Sequence, residues 1–250
     1  MTLSFLRSLL ITAPLIILAT VVMGTISAAC SFFDPQGHKQ HAISSAWARM
    51  LLAISRVKVN RRGLEKLDPA GNYIFAGNHL SLMDTPVVLG HIPYQFLFLV
   101  NVKYVRLPFL GTHLRRGGHF AVNPDDMRAG LKILTEAARH VQARKLSVLL
   151  FPEGARARGG LQGFKEGAAY IAIKSGAAIV PFALKGTRDV LPIGSVHIRG
   201  GTVEFLIGDP IPTAGLTIKD RAALTDQMRA SVGELLDRLG GKAQPAINVL

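Results

Sequence analysis

The chain has 250 residues, 29 basic against 16 acidic, for a formal net charge of +13. Mean hydropathy is +0.30 and the pI is near 10.4, so an anionic partner is expected: nucleic acid, an anionic membrane surface or a phosphorylated substrate. Cys30 is the only cysteine, which excludes an intrachain disulfide and a cysteine-rich metal site.

The first 57 residues read as a membrane-associated segment. Ser8 to Phe33 carries no charge and is bounded by Arg7 and Asp34. At about 1.5 Å per residue such a helix is long enough to cross a hydrocarbon core of ~30 Å. Ser27-Ala28-Ala29 would suit signal cleavage, but the long apolar run and the single preceding arginine favour a retained anchor, spanning or dipping into one leaflet. Lys39, Arg49, Arg56, Lys58, Arg61, Arg62 and Lys66 oppose only Glu65 in the following stretch. The positive-inside rule then puts the bulk of the chain at the cytoplasmic face of the cell inner membrane. A second helix is expected over 39–56, with an apolar stripe of Ile43, Ala46, Trp47, Met50, Leu51 and Ile54. It would lie in the headgroup layer or pack on the globular domain. His38 and His41, spaced i, i+3 without further ligands, read as solvated side chains, and no metal site is expected.

Residues 58–239 alternate short apolar runs with helical stretches. Strands are predicted at Tyr73–Ala76, Phe96–Val100, Ser147–Phe151, Ile179–Leu184, Ser195–Ile198 and Thr202–Ile207. Helices are predicted at Thr85–Gly90, Asp125–Arg144, Gly167–Ser175 and Ile218–Leu239. In the helix from Asp125, Asn123 would be the cap, Pro124 would suit the first turn, and Met127, Leu131, Leu134 and Val141 would form the apolar face. The alternation implies an α/β fold with a mixed, partly parallel sheet flanked by helices, and residues 240–250 form a tail.

Three segments carry chemistry. Gly77-Asn78-His79-Leu80-Ser81-Leu82-Met83-Asp84 places an imidazole and a carboxylate five positions apart. On a continuous helix they would diverge by roughly 140°, so they meet only if His79 is in a loop and Asp84 opens the next helix, as Pro86 suggests. Such a pair can take a proton from an alcohol; equally, Asp84 would serve as a plain helix cap. Phe151-Pro152-Glu153-Gly154-Ala155-Arg156 follows a buried strand and exposes a carboxylate and a guanidinium, with Arg158 and Lys165 adding positive field. An ordinary strand-end turn with a surface ion pair fits it too. Lys103, Leu107-Pro108-Phe109-Leu110-Gly111 and Arg115-Arg116 would supply an alkyl wall and a headgroup grip, or a turn and a solvated basic face.

The order and spacing of these segments, with Phe164-Lys165-x-Gly167, Val180-Pro181 and Ile207-Gly208-Asp209-Pro210, resemble the glycerolipid acyltransferase family, specifically bacterial 1-acylglycerol-3-phosphate acyltransferases, over about Lys58–Ile211. The resemblance implies His79 as general base oriented by Asp84. It implies acceptor binding by Lys103, Glu153, Gly154, Arg156, Arg115 and Lys165, with Asn78 as an oxyanion donor. The donor would be an acyl thioester of coenzyme A or acyl carrier protein, with no cofactor or metal; the partners would be the bilayer and a lysophospholipid, not nucleic acid. Two departures stand out. Ala155 replaces a usual threonine, and Asn123-Pro124 replaces a usual Asp-Arg, leaving Arg115, Arg116 or Arg128 to substitute, or pointing to another lysolipid such as a lyso-aminolipid. A hydrolase or thioesterase using the same histidine is the rival; no Gly-x-Ser-x-Gly elbow is present, and Ser81 reads as a turn residue.

Overall fold

The computed structural model describes residues 2–107, 109–123 and 126–240. The tail expected at 240–250 therefore lies, beyond Gly240, outside the described residues, as does Pro124.

The apolar segment is one helix from Leu3 to Phe33. It comprises α1 (Leu3–Arg7), a π-helical turn at Ser8–Thr12, α2 (Ala13–Cys30) and a final 3-10 turn. The π turn has a local cause. Pro14 donates no N–H and its ring crowds the carbonyl four residues back, so the helix widens just before it. The chain then reverses into α3 (His38–Ile54), where Asp34 Oδ2 accepts from Gln40 N at 2.9 Å. Gln40 meets Ser27, and Trp47 Nε1 donates to Thr20 Oγ1 at 3.2 Å, the register of an antiparallel hairpin.

The buried side of α3 is Gln40, Ser44, Ala48, Leu51 and Leu52; of the stripe read from the sequence Leu51 is buried, and Ile43, Trp47 and Ile54 are half-buried. Small residues decide this. Ala48 faces Gly90 of α4 (Asp84–His91), where an added Cβ would already touch Arg49 and Ala48, so the two helices approach closely there. Ala46 and Met50 are exposed as a result. His41 is half-buried rather than freely solvated: its ring packs edge-on to Phe96 at 5.1 Å.

The remaining elements alternate as expected: β1 (Val57–Arg62), β2 (Tyr73–Gly77), α4, β3 (Phe96–Asn101), α5 (Val102–Val105), α6 (Leu110–Arg116), β4 (Phe120–Val122), α7 (Met127–Arg144), β5 (Ser147–Leu150), α8 (Gly167–Ser175), β6 (Ala178–Lys185), α9 (Thr187–Val190), β7 (Gly201–Ile207) and α10 (Arg221–Arg238). Seven strands form one mixed sheet in the order β1-β7-β6-β2-β5-β3-β4. β6, β2, β5, β3 and β4 run parallel; β7 is antiparallel to β6, and β1 is parallel to β7.

Central strands are buried on both faces and alternate between two cores. Phe75, Phe96, Leu149 and Phe182 pack with Val87 and Val88 of α4 and with Ala48 and Leu52 of α3. Ile74, Ala76, Val148 and Leu150 pack on the opposite face with Ala137, Val141 and Ile171 of α7 and α8, and with Met228 of α10. The hairpin thus shares the first core.

Three expectations are corrected. Ser195–Ile198 joins no strand, because β1 and β6 occupy both edges of β7; instead Ser8 Oγ donates to Val196 O (3.0 Å) and accepts from Ile198 N (2.7 Å). The cap of α7 is Asp126, which accepts from Ala129 N at 2.9 Å, rather than Asn123. Leu131 is 53 % exposed, since α7 buries its small residues Ala137 and Ala138 against the sheet. β1 and β4 were not foreseen, being polar and short respectively.

At the hairpin–domain junction His113 links Ser27 (2.7 Å) to Ser44 (3.2 Å), and His119 Nδ1 accepts from Phe98 N at 3.0 Å. Burial pushes His41 down to about 4 and His119 down to about 3, and lowers His113 as well. The neighbouring imidazoles reinforce the effect on His41 and His119.

Candidate active site

β2 and β5 are adjacent and parallel, but their crossovers diverge. β2 leaves through α4 on one face towards β3, and β5 leaves through α8 on the other towards β6. Their carboxyl ends therefore flank a topological switch point, where loops part and leave a crevice. Both motif loops start there.

At the end of β2, Asn78 continues the pairing with β6 through its side chain. Its Nδ2 donates to Leu184 O (2.9 Å), and its Oδ1 accepts from Leu184 N (2.8 Å). Both ends of the amide are engaged and the residue is buried, so the side chain acts here as an extension of the sheet. His79 then leaves the sheet in a loop, and Asp84 opens α4, as the spacing required. One carboxylate oxygen, Asp84 Oδ2, accepts from His79 Nδ1 at 2.7 Å, Leu80 N at 2.6 Å and Ser81 N at 2.8 Å. Asp84 is wholly buried, whereas the His79 side chain keeps 19 % exposure. Since Oδ2 offers only lone pairs, the shared proton sits on Nδ1, and in the neutral ring Nε2 then keeps its lone pair. Ser81 is a turn residue, donating through Oγ to Leu191 O at 2.7 Å.

The second loop packs directly on the first. Phe151 stacks on the His79 ring with centroids 4.1 Å apart and planes inclined by 12°. Glu153 accepts from His79 N (2.7 Å) and from Gln162 N (3.0 Å), so both carboxylate oxygens clamp backbone. Burial raises its pKa, and those two N–H bonds work against the rise. Glu153 thus holds the backbone of both loops while bordering the cleft beside them. Gly154 takes φ +74°, and Lys165 lies over it so closely that a Cβ would come within 3.0 Å of Cε. Ala157 N donates to His79 O at 2.8 Å, closing the second loop onto the first. The side chain of Arg156, half-buried one residue earlier, has no hydrogen bond or ion pair to another described residue.

Lys103 and Arg115 sit beyond β3, on the same sheet edge but outside these contacts. Lys103 is exposed, with Nζ 5.2 Å from the Tyr104 ring centroid, and Arg115 donates to Val105 O. Arg116 bonds Ser31 and covers the Phe32 ring, so it serves the hairpin. Leu107 and Phe109 are exposed, and Phe109 abuts Gly24 of α2. A cleft of about 250 Å³ opens beside the histidine loop, bordered by Leu80, Glu153, Leu161, Leu184 and Arg188. A broader groove of about 680 Å³ along α7 contains none of the loop residues. Two residues went unrecognised in the sequence. Phe151 was visible in its motif but read as strand end, and Arg188 had no local signal at all.

The acyltransferase family model matches residues 58–185, which contain both loops. The chain belongs to the acyltransferase family. This acyltransferase is 30 % identical over 236 residues to a 1-acyl-sn-glycerol-3-phosphate acyltransferase of Chlamydomonas reinhardtii, covering 93 % of this chain and 67 % of the algal one. It is 27 % identical over 219 residues to the 1-acyl-sn-glycerol-3-phosphate acyltransferase of Haemophilus influenzae, covering 86 % and 89 %. Its fold is that of the crystal structure of the 1-acyl-sn-glycerophosphate (LPA) acyltransferase PlsC from Thermotoga maritima, with a TM-score of 0.79 and 24 % identity over 97 % of this chain and 100 % of that one.

Proposed function

We propose that this acyltransferase transfers an acyl chain from a thioester to the free hydroxyl of 1-acylglycerol-3-phosphate, making phosphatidic acid. The observation that supports this reading most is the His79–Asp84 pair, 2.7 Å apart at the switch point, with Nε2 left as the base. The acceptor hydroxyl gives its proton to His79 Nε2 as its oxygen attacks the thioester carbonyl. The C–O bond forms and the C–S bond breaks, and the imidazolium returns the proton to the departing thiolate. Asp84 stabilises the transient imidazolium without itself being protonated. Arg156, without a hydrogen-bond or ion-pair partner among the described residues, grips the acceptor phosphate in forked geometry, and Lys165 adds field. The donor thioester is carried by coenzyme A or acyl carrier protein. The test is mass spectrometry of products from labelled acyl-CoA and a panel of lysolipids. Phosphatidic acid is expected to dominate; a lyso-aminolipid product would reassign the acceptor, and donor consumption indifferent to any acceptor would mean a thioesterase.

The protein associates with the membrane, and the same reading extends to how. The Leu3–Phe33 helix is fastened along its length: Ser4 to His197, Ser8 to Val196 and Ile198, Thr20 to Trp47, Ser27 to His113 and Ser31 to Arg116. Ser4 to Ser31 covers about 40 Å of helix. Crossing the bilayer would drag the polar domain through hydrocarbon, so the helix lies in the cytoplasmic leaflet of the inner membrane. Leu10, Ile17, Leu18 and Phe33 are left exposed for lipid. In a Cys30→Ser background, single cysteines replacing Leu3 and Phe33 should label from the same side of sealed vesicles. Labelling from opposite sides would establish a span.

A further inference from the structure

The loop from Phe151 to Glu166 carries Arg156 yet has neither helix nor strand to hold it. A free guanidinium on an unsupported loop would sample many positions, and orienting a charged substrate needs one. Something must fix the backbone beside it. Glu153 does so on the amino-terminal side. On the carboxyl-terminal side three consecutive carbonyls, those of Ala157, Arg158 and Gly159, converge on the Arg188 guanidinium. Nη1 donates to Arg158 O at 3.0 Å, and Nη2 donates to Ala157 O and, at 3.3 Å, to Gly159 O. Three carbonyl dipoles pointed at one spot repel each other unless a cation sits there, so this loop shape depends on that side chain.

Arg188 is itself held firmly. It stands on α9, just after Gly186, whose φ of +96° and lack of a Cβ are both required, since a Cβ would lie 2.5 Å from Thr202 O. The same turn fastens the histidine loop, because Leu191 O accepts from Ser81 Oγ at 2.7 Å. One short segment, 187–191, therefore fastens both loops, adding to the direct bonds between them from His79 N to Glu153 and from Ala157 N to His79 O. Arg188 makes no ion pair among the described residues, so its charge is spent on backbone carbonyls.

We propose that Arg188 is a positioning residue for acceptor recognition: it locks residues 157–159 and thereby aims Arg156 at the acceptor phosphate, without itself touching the substrate. This rests on the reading that Arg156 grips that phosphate. The full-length protein, assayed with one acyl-CoA, is compared on 1-acylglycerol-3-phosphate and on 1-acylglycerol, which lacks the phosphate. Arg188→Ala is expected to raise KM for the phosphorylated acceptor about tenfold and to change kcat little, because aim rather than chemistry is lost. The preference for the phosphorylated acceptor should fall by the same factor. Arg188→Lys, which keeps the charge but not the fork, should fall between the two and serves as the test if Arg188→Ala does not fold. Arg156→Ala should abolish the preference in either background. If Arg156→Ala abolishes it while Arg188→Ala and Arg188→Lys leave it intact, the positioning role is wrong and the phosphate reading stands. Equal losses on both acceptors would make Arg188 merely structural and overturn the proposal. A preference that survives Arg156→Ala would overturn the phosphate reading and this one with it.

Discussion

His79→Ala is expected to lower kcat by roughly a thousandfold while leaving the protein folded, the middle of the range for loss of a general base. The backbone bonds that fix the loop, His79 N to Glu153 and Ala157 N to His79 O, do not involve the ring and survive the change. The stacking on Phe151, worth about 1 kcal/mol, and the Nδ1 bond to Asp84 are lost, while Asp84 Oδ2 keeps its bonds from Leu80 N and Ser81 N. Asp84→Asn separates orientation from charge. The amide oxygen can still accept from Leu80 N and Ser81 N, but the imidazolium formed in the reaction would no longer meet an anion. A kcat loss of about a hundredfold with acceptor KM nearly unchanged is expected. Steady-state kinetics with saturating lysolipid, alongside thermal melts, check both variants. Full acyl transfer by His79→Ala would remove the base from the mechanism.

Acid is expected to loosen the junction between the hairpin and the domain. His41 and His119 titrate near 6.5 when the chain is unfolded, but burial holds them at about 4 and about 3 in the fold. Because the folded values are depressed, the unfolded chain binds more protons. The stability they allow is present above pH 6.5 and is lost as pH falls towards 4. Both rings keep some solvent contact, so the combined loss between pH 7 and pH 4.5 is discounted to roughly 3 kcal/mol. Urea unfolding at the two pH values, for the wild type and for His41→Phe/His119→Phe, measures it. Most of the difference should vanish in the double variant. An equal acid loss in both proteins would assign it to other groups.

Much of this molecule was legible residue by residue. The central strands are continuous apolar runs because both their faces are buried, and such runs stand out. The five-residue interval between His79 and Asp84 forced a loop-then-helix geometry, and that geometry is present. The apolar helix was evident from its missing charges. Where the reading failed, the deciding contact came from far away in the chain. Ser195–Ile198 has strand-forming residues but no free sheet edge to join. The buried face of α3 keeps Leu51 of the expected stripe but centres on Ala48, since a small side chain permits a closer approach than a large one. Leu131 is exposed because α7 turns its alanines inward.

The sequence by itself therefore carried the reaction class, through its resemblance to the acyltransferase family, and it restricted how His79 and Asp84 can meet, because only five positions separate them. Only the tertiary structure decided what each neighbour does. Asn78 extends the sheet by pairing its amide with Leu184. Glu153 clamps backbone of both loops, and Arg188 bonds the carbonyls of residues 157–159. These roles are set by which backbone N–H and C=O groups are left unpaired at the crevice. That is a property of the folded sheet, where loops distant in sequence must satisfy each other's hydrogen bonds.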